Sequence, residues 1–185
     1  REIEEALKEI EKIIEDLRKI VEEVLKRLEE IDRELRKRNE DSNREIEKII
    51  EDLKDMVRKK GPDEELKKLV EDIKKKVTDI LRRNEKVVEE SERLSKELLD
   101  DLERVVKKIE EDIKRILDRV REAGLSEEAE RRAETVLRKL ERVVDKVIKD
   151  IRKVLKDNER VVREVRKSAE ELLDKLRKVV EEVRR

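Results

Sequence analysis

Residues 3–57 carry one apolar stripe: Ile3, Leu7, Ile10, Ile14, Leu17, Val21, Val24, Leu28, Ile31, Leu35, Asn39, Ser42, Ile46, Ile49, Leu53 and Val57. Fifteen steps cover 54 residues, a mean of 3.6, which is the turn of a straight α-helix. A strict heptad stripe averages 3.5 and drives a left-handed supercoil instead. The same fifteen steps over 54 residues recur from Leu66 to Val120 and from Ala129 to Val183. Three helices of equal length, all holding one period, are the first expectation.

Two short breaks separate the stripes, and both carry turn chemistry. In Lys59-Lys60-Gly61-Pro62-Asp63-Glu64-Glu65 the lysines suit a helix C-terminus and Gly61 suits the left-handed residue just beyond it. Pro62 blocks continuation, and Asp63 is placed to cap the next helix with Glu64 and Glu65 in its first turn. In Glu122-Ala123-Gly124-Leu125-Ser126-Glu127-Glu128, Gly124 takes the same role, Leu125 is positioned to touch Val120 as in a Schellman motif, and Ser126 is the N-cap. Both glycines and the only proline fall in these two places. The predicted helices are about 1–60, 63–123 and 126–185, with turns at about 60–63 and 123–126.

Each helix should measure about 90 Å at 1.5 Å per residue. Short connections between equal helices require antiparallel neighbours. The predicted fold is therefore all-α: three long, nearly straight helices in an up-down-up bundle, one domain over residues 1–185. Ile13, Ile20, Leu25 and Val87 widen the stripes beyond a two-stranded seam, as a helix meeting two neighbours needs.

Composition removes most chemistries. Charged residues make up 58% of the chain, a share that alone suggests disorder, but the apolar third is ordered into stripes. The 53 basic and 54 acidic side chains are finely mixed, leaving a net charge of −1, and no basic stripe for nucleic acid is visible. The run Lys74-Lys75-Lys76 reads as a solvated patch. Cysteine and histidine are absent, which removes thiolate nucleophiles, disulfides, the usual general base and the commonest metal ligand. With no Phe, Tyr or Trp, base-stacking surfaces and aromatic anchors are missing too. No apolar run reaches a membrane span and the first residues resemble no signal peptide, so a soluble chain is expected. Plentiful Asp and Glu form no evident pair on the stripes for acid–base work. No catalytic residue, cofactor or metal ligand is expected, nor a nucleic-acid or membrane partner.

Polar residues interrupt the stripes at Asn39, Ser42, Asn84, Ser91 and Asn158. Folding the hairpins about their turns places Asn39 level with Asn84, Asn158 beside Ser91, and Ser42 with Asn43 beside Ser168. One reading is a set of buried hydrogen-bond layers fixing register, because an unsatisfied amide or hydroxyl in any slipped alignment costs about 1–3 kcal/mol. A second is a weak point where the bundle opens or a partner helix enters. A third, a ligand or ion pocket, suffers because amides and hydroxyls give a poor metal set. Ser42 followed by Glu45 also has the spacing of a capping box. The unbroken stripe from Leu35 to Ile46, without Gly or Pro, favours a continuous helix there.

Residues 77–109 align without gaps to 151–183, with Asn84-Glu85-Lys86-Val87-Val88 meeting Asn158-Glu159-Arg160-Val161-Val162. Together the equal helices, the Glu/Lys/Arg surface, the Gly-Pro-Asp and Gly-Leu-Ser turns and the Asn/Ser layers in an Ile/Leu/Val core resemble a de novo designed, parametrically generated helical bundle with buried hydrogen-bond layers. That resemblance covers the whole chain and implies a scaffold with no natural substrate. A spectrin-like repeat usually carries a core Trp, and a lipid-binding bundle shows broader apolar faces with aromatics. Two functional readings follow: a rigid monomeric scaffold whose polar layers specify register, or an interaction module that self-associates or opens at those layers. No second apolar stripe is seen, which favours the monomer over a homo-oligomer.

Overall fold

The computed structural model describes residues 2–61, 63–124 and 126–184. They form α1 (Glu2–Lys60), α2 (Glu64–Glu122) and α3 (Glu127–Arg184), with no strand among the described residues. The helices hold 59, 59 and 58 residues, so the equality of the three stripes is an equality of the helices. Residues 39–45 lie inside α1 without interruption. Ser42 and Glu45 therefore do not start a new helix, and the continuous stripe decides that segment.

The ends follow from the turn residues. Asp63 Oδ1 accepts a hydrogen bond from the Leu66 amide at 2.7 Å, and Ser126 Oγ accepts one from Ala129 at 3.3 Å. Each satisfies a donor that the first turn of a helix leaves orphaned. Gly61 and Gly124 have φ of +68° and +84°, the left-handed region where a Cβ is penalised. The Gly61 amide reaches Val57 O at 3.2 Å, the single bond of the αL termination. The Gly124 amide reaches Arg121 O at 3.1 Å, one of the two bonds of a Schellman motif. The roles assigned to Pro62 and Leu125 lie outside the described residues.

The chain divides into two compact units, to which every helix contributes. One comprises Arg1–Glu29 with Leu94–Lys156, the other Glu30–Arg93 with Asp157–Arg185. In the first, Leu7, Ile10, Ile14 and Leu17 of α1, Ile113 and Leu117 of α2, and Ala133, Val136 and Leu140 of α3 are buried. Ion pairs Glu4–Arg132 at 3.0 Å and Glu11–Lys139 at 3.9 Å advance along α1 and α3 together, so these two helices run parallel.

In the second unit, one apolar cluster joins Ile46, Ile50 and Leu53 of α1 to Leu66, Val70, Val77 and Leu81 of α2 and to Leu172, Leu176, Val179, Val180 and Val183 of α3. A smaller cluster joins Leu35 and Val88 to Val161, Val162 and Val165. Arg184 pairs with Glu71 and Arg166 with Glu85 and Glu92, so α3 runs against α2. Lys175 pairs with Glu47, along the same direction as α1. Up-down-up packing is thus present, and the fold is a three-helix bundle.

The stripe is narrower in places than the sequence implies. Ile20, expected to widen the face of α1, is 41% exposed, whereas Ile50, four residues after Ile46 and on the same face, is buried. The other large exposed side chains, Met56, Leu69, Leu94, Val105 and Leu155, are open to a similar degree. Side chains of this kind at the edge of a buried face are normal on protein surfaces.

A Cβ added at Gly124 meets nothing within 4 Å, so Gly124→Ala carries only its backbone strain. It should lower stability by about 1–2 kcal/mol. Asp63→Ala removes the 2.7 Å cap and should cost about 1 kcal/mol. Urea denaturation followed by circular dichroism checks both: the midpoint falls and the slope stays unchanged.

Candidate functional site

The best-defined polar feature of the core is a side-chain pair. Asn158 is 5% exposed and sits on the face of α3 that also carries Val161, Val162 and Val165, three, four and seven residues on. Its Nδ2 donates to Asp32 Oδ1 at 2.7 Å. Asp32 is half-buried because it precedes Leu35 by three residues, which puts it on the same side of α1. A hydrogen bond to an ionised carboxylate is shorter and stronger than one between neutral groups. An amide deprived of such a partner in aliphatic surroundings loses about 1–3 kcal/mol.

The other polar positions are arranged around the two apolar clusters of their unit. Asn39, Ser42 and Asn43 fall between Leu35 and Ile46 on α1, Asn84 between Leu81 and Val88 on α2, and Ser168 between Val165 and Leu172 on α3. Polar residues therefore occupy, on all three helices, the interval that separates one cluster from the other. Ser91 lies just past Val88. These six residues are half-buried, and Asn158 alone among the seven predicted positions makes a described hydrogen bond to another helix. The sequence reading sets Asn158 beside Ser91 of α2; the described bond runs to Asp32 of α1.

Two core polar residues escape a reading limited to breaks in the stripe. Asp32 is adjacent to Ile31, so it interrupts nothing, yet its separation of 126 residues from Asn158 was available. The turn arithmetic that levels Ser42 with residue 167 also levels Asp32 with residue 157. Ser95 is 2% exposed in the other unit. Its signal is its phase, seven residues before the buried Leu102 and therefore on one face with it.

At the solvent edge, Arg166 bridges two carboxylates two turns apart on α2. Its Nε donates to Glu85 Oε1 at 3.1 Å, and Nη2 lies 2.9 Å from Glu92 Oε1. The second contact is an ion pair whose angles do not make a hydrogen bond, and that Glu92 oxygen is buried without a donor. The hydrogen bond to Glu85 raises the Arg166 pKa above its ordinary value, with the Glu85 and Glu92 charges acting in the same sense. In the other unit, the Arg132 guanidinium holds Glu4 below the usual glutamate range, first by its hydrogen bond and then by its charge. Exposed pairs of this type add little to stability individually.

Among the described residues no group of three or more Asp or Glu is placed to hold a metal ion, and no helix is long and apolar enough to cross a membrane. The described surface grooves are edged by charge, such as the one lined by Leu7, Val136, Arg131 and Arg132. None of the seven predicted polar residues lines a described groove.

No family model matches the chain, and no curated protein matches it. Among solved structures it is similar to one described as a computationally designed three-helix bundle, with a TM-score of 0.71 and 20% identity over 99% of this chain and 92% of that one. The likeness runs nearly end to end on both sides and shows the fold to be that of a three-helix bundle.

Asn158→Ala should destabilise the protein by about 1–3 kcal/mol, and a double-mutant cycle with Asp32→Ala should give a coupling of about 0.5–3 kcal/mol. Urea midpoints of the four proteins measure it, and additive effects would mean the two side chains act independently. Glu4 should titrate below an ordinary glutamate in carboxyl-detected NMR, and Arg132→Ala should return it upward. Since the folded value is depressed, the small stabilisation from this pair is present above the ordinary glutamate value. It is lost as pH falls through the folded value.

Proposed function

We propose that the protein is a designed structural scaffold, a single three-helix domain without catalytic role, whose polar core residues fix the alignment of its helices. The observation that carries this reading is the Asn158–Asp32 hydrogen bond, set among aliphatic side chains and joining α1 to α3 at 2.7 Å. Sliding α3 along α1 by one turn moves the amide about 5.4 Å from its acceptor, so the misaligned state lacks this bond while the aligned state has it. The aliphatic clusters on their own tolerate such sliding, since one Leu, Ile or Val replaces another every turn. The designed origin is supported by the equal helices, the turn residues and the similarity to a designed bundle.

Self-association is the competing reading, and Met56 and Leu69, 41% and 39% exposed, are the residues on which it would rest. Light scattering across a concentration series separates the two. A constant mass near 22.3 kDa is expected for the scaffold. A mass that grows with concentration toward a dimer or larger species would overturn it in favour of an interaction module.

A further inference from the structure

The apolar stripes distinguish α2 from α3 at few positions. Residues 77–109 of α2 and 151–183 of α3 match without gaps, and Asn84 aligns with Asn158. An α2-type helix taking the place of α3 would therefore bring the same core spacing and the same amide. Two core positions differ, Val165 against Ser91 and Ala169 against Ser95, and the charge along the edges differs at more.

Five cations of α3 reach carboxylates on its neighbours. Arg132 and Lys139 pair with Glu4 and Glu11 of α1 in one unit. In the other, Lys175 pairs with Glu47 of α1, while Arg166 and Arg184 pair with Glu85, Glu92 and Glu71 of α2. In the α2–α3 alignment, Arg166 falls on Glu92 and Lys175 on Asp101. Carried on in the same phase, Arg184 falls on Glu110 and Lys139 on Glu65. Over 77–109 and 151–183 the alignment keeps the sign at eight charged positions, Glu85 with Glu159 and Asp100 with Asp174 among them, and reverses it at nine. At the four alignable positions that reach across to a neighbour, the sign is reversed.

We propose that the carboxylate edges of the α1–α2 hairpin form a recognition surface for a helix bearing the cation pattern of α3, and that this surface refuses a helix of the α2 pattern. The kind of partner it fits is a long amphipathic helix with the α3 core and basic residues at the positions of Lys139, Arg166, Lys175 and Arg184. An α2-type helix in that place faces Glu11, Glu85, Glu92, Glu47 and Glu71 with carboxylates. Each exposed pair is weak, but attraction is exchanged for repulsion at four places at once. A preference on the order of tenfold or more follows. The core amide fixes where the third helix sits along its neighbours; the edge charges fix which helix it is.

The test uses the whole chain with a protease site placed in the turn at 123–126, cut after folding. The cut protein is unfolded and refolded at low salt with one equivalent of isotopically labelled free helix 127–185. A parallel sample receives the same helix carrying K139E, R166E, K175D and R184E. Native mass spectrometry then counts which helix each hairpin holds. The unchanged competitor should occupy about half of the hairpins, as identical helices at equal concentration must, and the reversed one less than about a tenth. At 1 M salt, where charges are screened beyond about 3 Å, the reversed share should climb toward half. A hairpin carrying E11K, E47K, E71K, E85K and E92K should take up the reversed helix, which controls for a competitor that fails to form a helix. Equal uptake of both competitors at low salt, no uptake of the unchanged one, or no rescue by the reversed hairpin would each overturn the proposal.

Discussion

An α-helix returns a side chain to the same face only when the spacing averages 3.6 residues, and the fold depends on that spacing being kept across whole helices. A stripe with that average stays on one side of a straight helix for any length, so each helix can bury one continuous face without supercoiling. The cost is that no apolar position differs much from the one a turn away. Leu53, Leu66 and Leu176 are all almost fully buried, and nothing in a leucine states which turn of a neighbouring helix it belongs to. Long helices of one period are easy to pack and hard to align.

On the proposed reading, alignment comes from groups that do state their partner. The turns do so locally: Asp63 and Ser126 cap the two helix starts, and Gly61 and Gly124 end the helices before them. A short turn fixes neighbouring helices near their junction, but its hold weakens with each turn of distance. Asn158 and Asp32 act far from either turn in sequence. Their bond is short and charge-assisted, and its acceptor is only half-buried, so the carboxylate keeps part of its hydration. A fully buried charge would carry a desolvation penalty that one amide does not offset. Half-burial suits a carboxylate that must be specific without being costly.

Helix number, helix ends, direction and most of the buried face were legible in the sequence, because each depends on spacing or on a residue with one conformational use. Among the described residues Gly61 and Gly124 are those at positive φ, and the caps are the two side chains best suited to the task. Legibility failed where a residue's role depends on a neighbour in space. Asp32 looks like one surface acid among 54 acidic residues until its level on α1 is compared with that of Asn158. Ser95 is hidden by Leu94, which draws the eye to the adjacent position and is itself 37% exposed. Ile20 beside Val21 shows the opposite error: an apolar residue next to the stripe is not thereby inside it. A step of one residue turns a side chain by about 100°, enough to move it from core to edge.

The weakness of exposed ion pairs is usually taken as a reason to ignore them, and for stability that is sound. Specificity is a difference between two assemblies, however, and terms common to both cancel. Where the cores of α2 and α3 agree, the aliphatic contribution drops out of the comparison between a correct and an incorrect third helix, leaving Val165 against Ser91 and Ala169 against Ser95 as the core differences. What survives are the small terms that change sign, and Arg166 against Glu92 or Lys175 against Asp101 changes sign completely. On the proposal made above, a core pattern largely shared between helices leaves much of the choice of partner to the edges. The same residues can add almost nothing to the folding free energy and still determine which helices belong together.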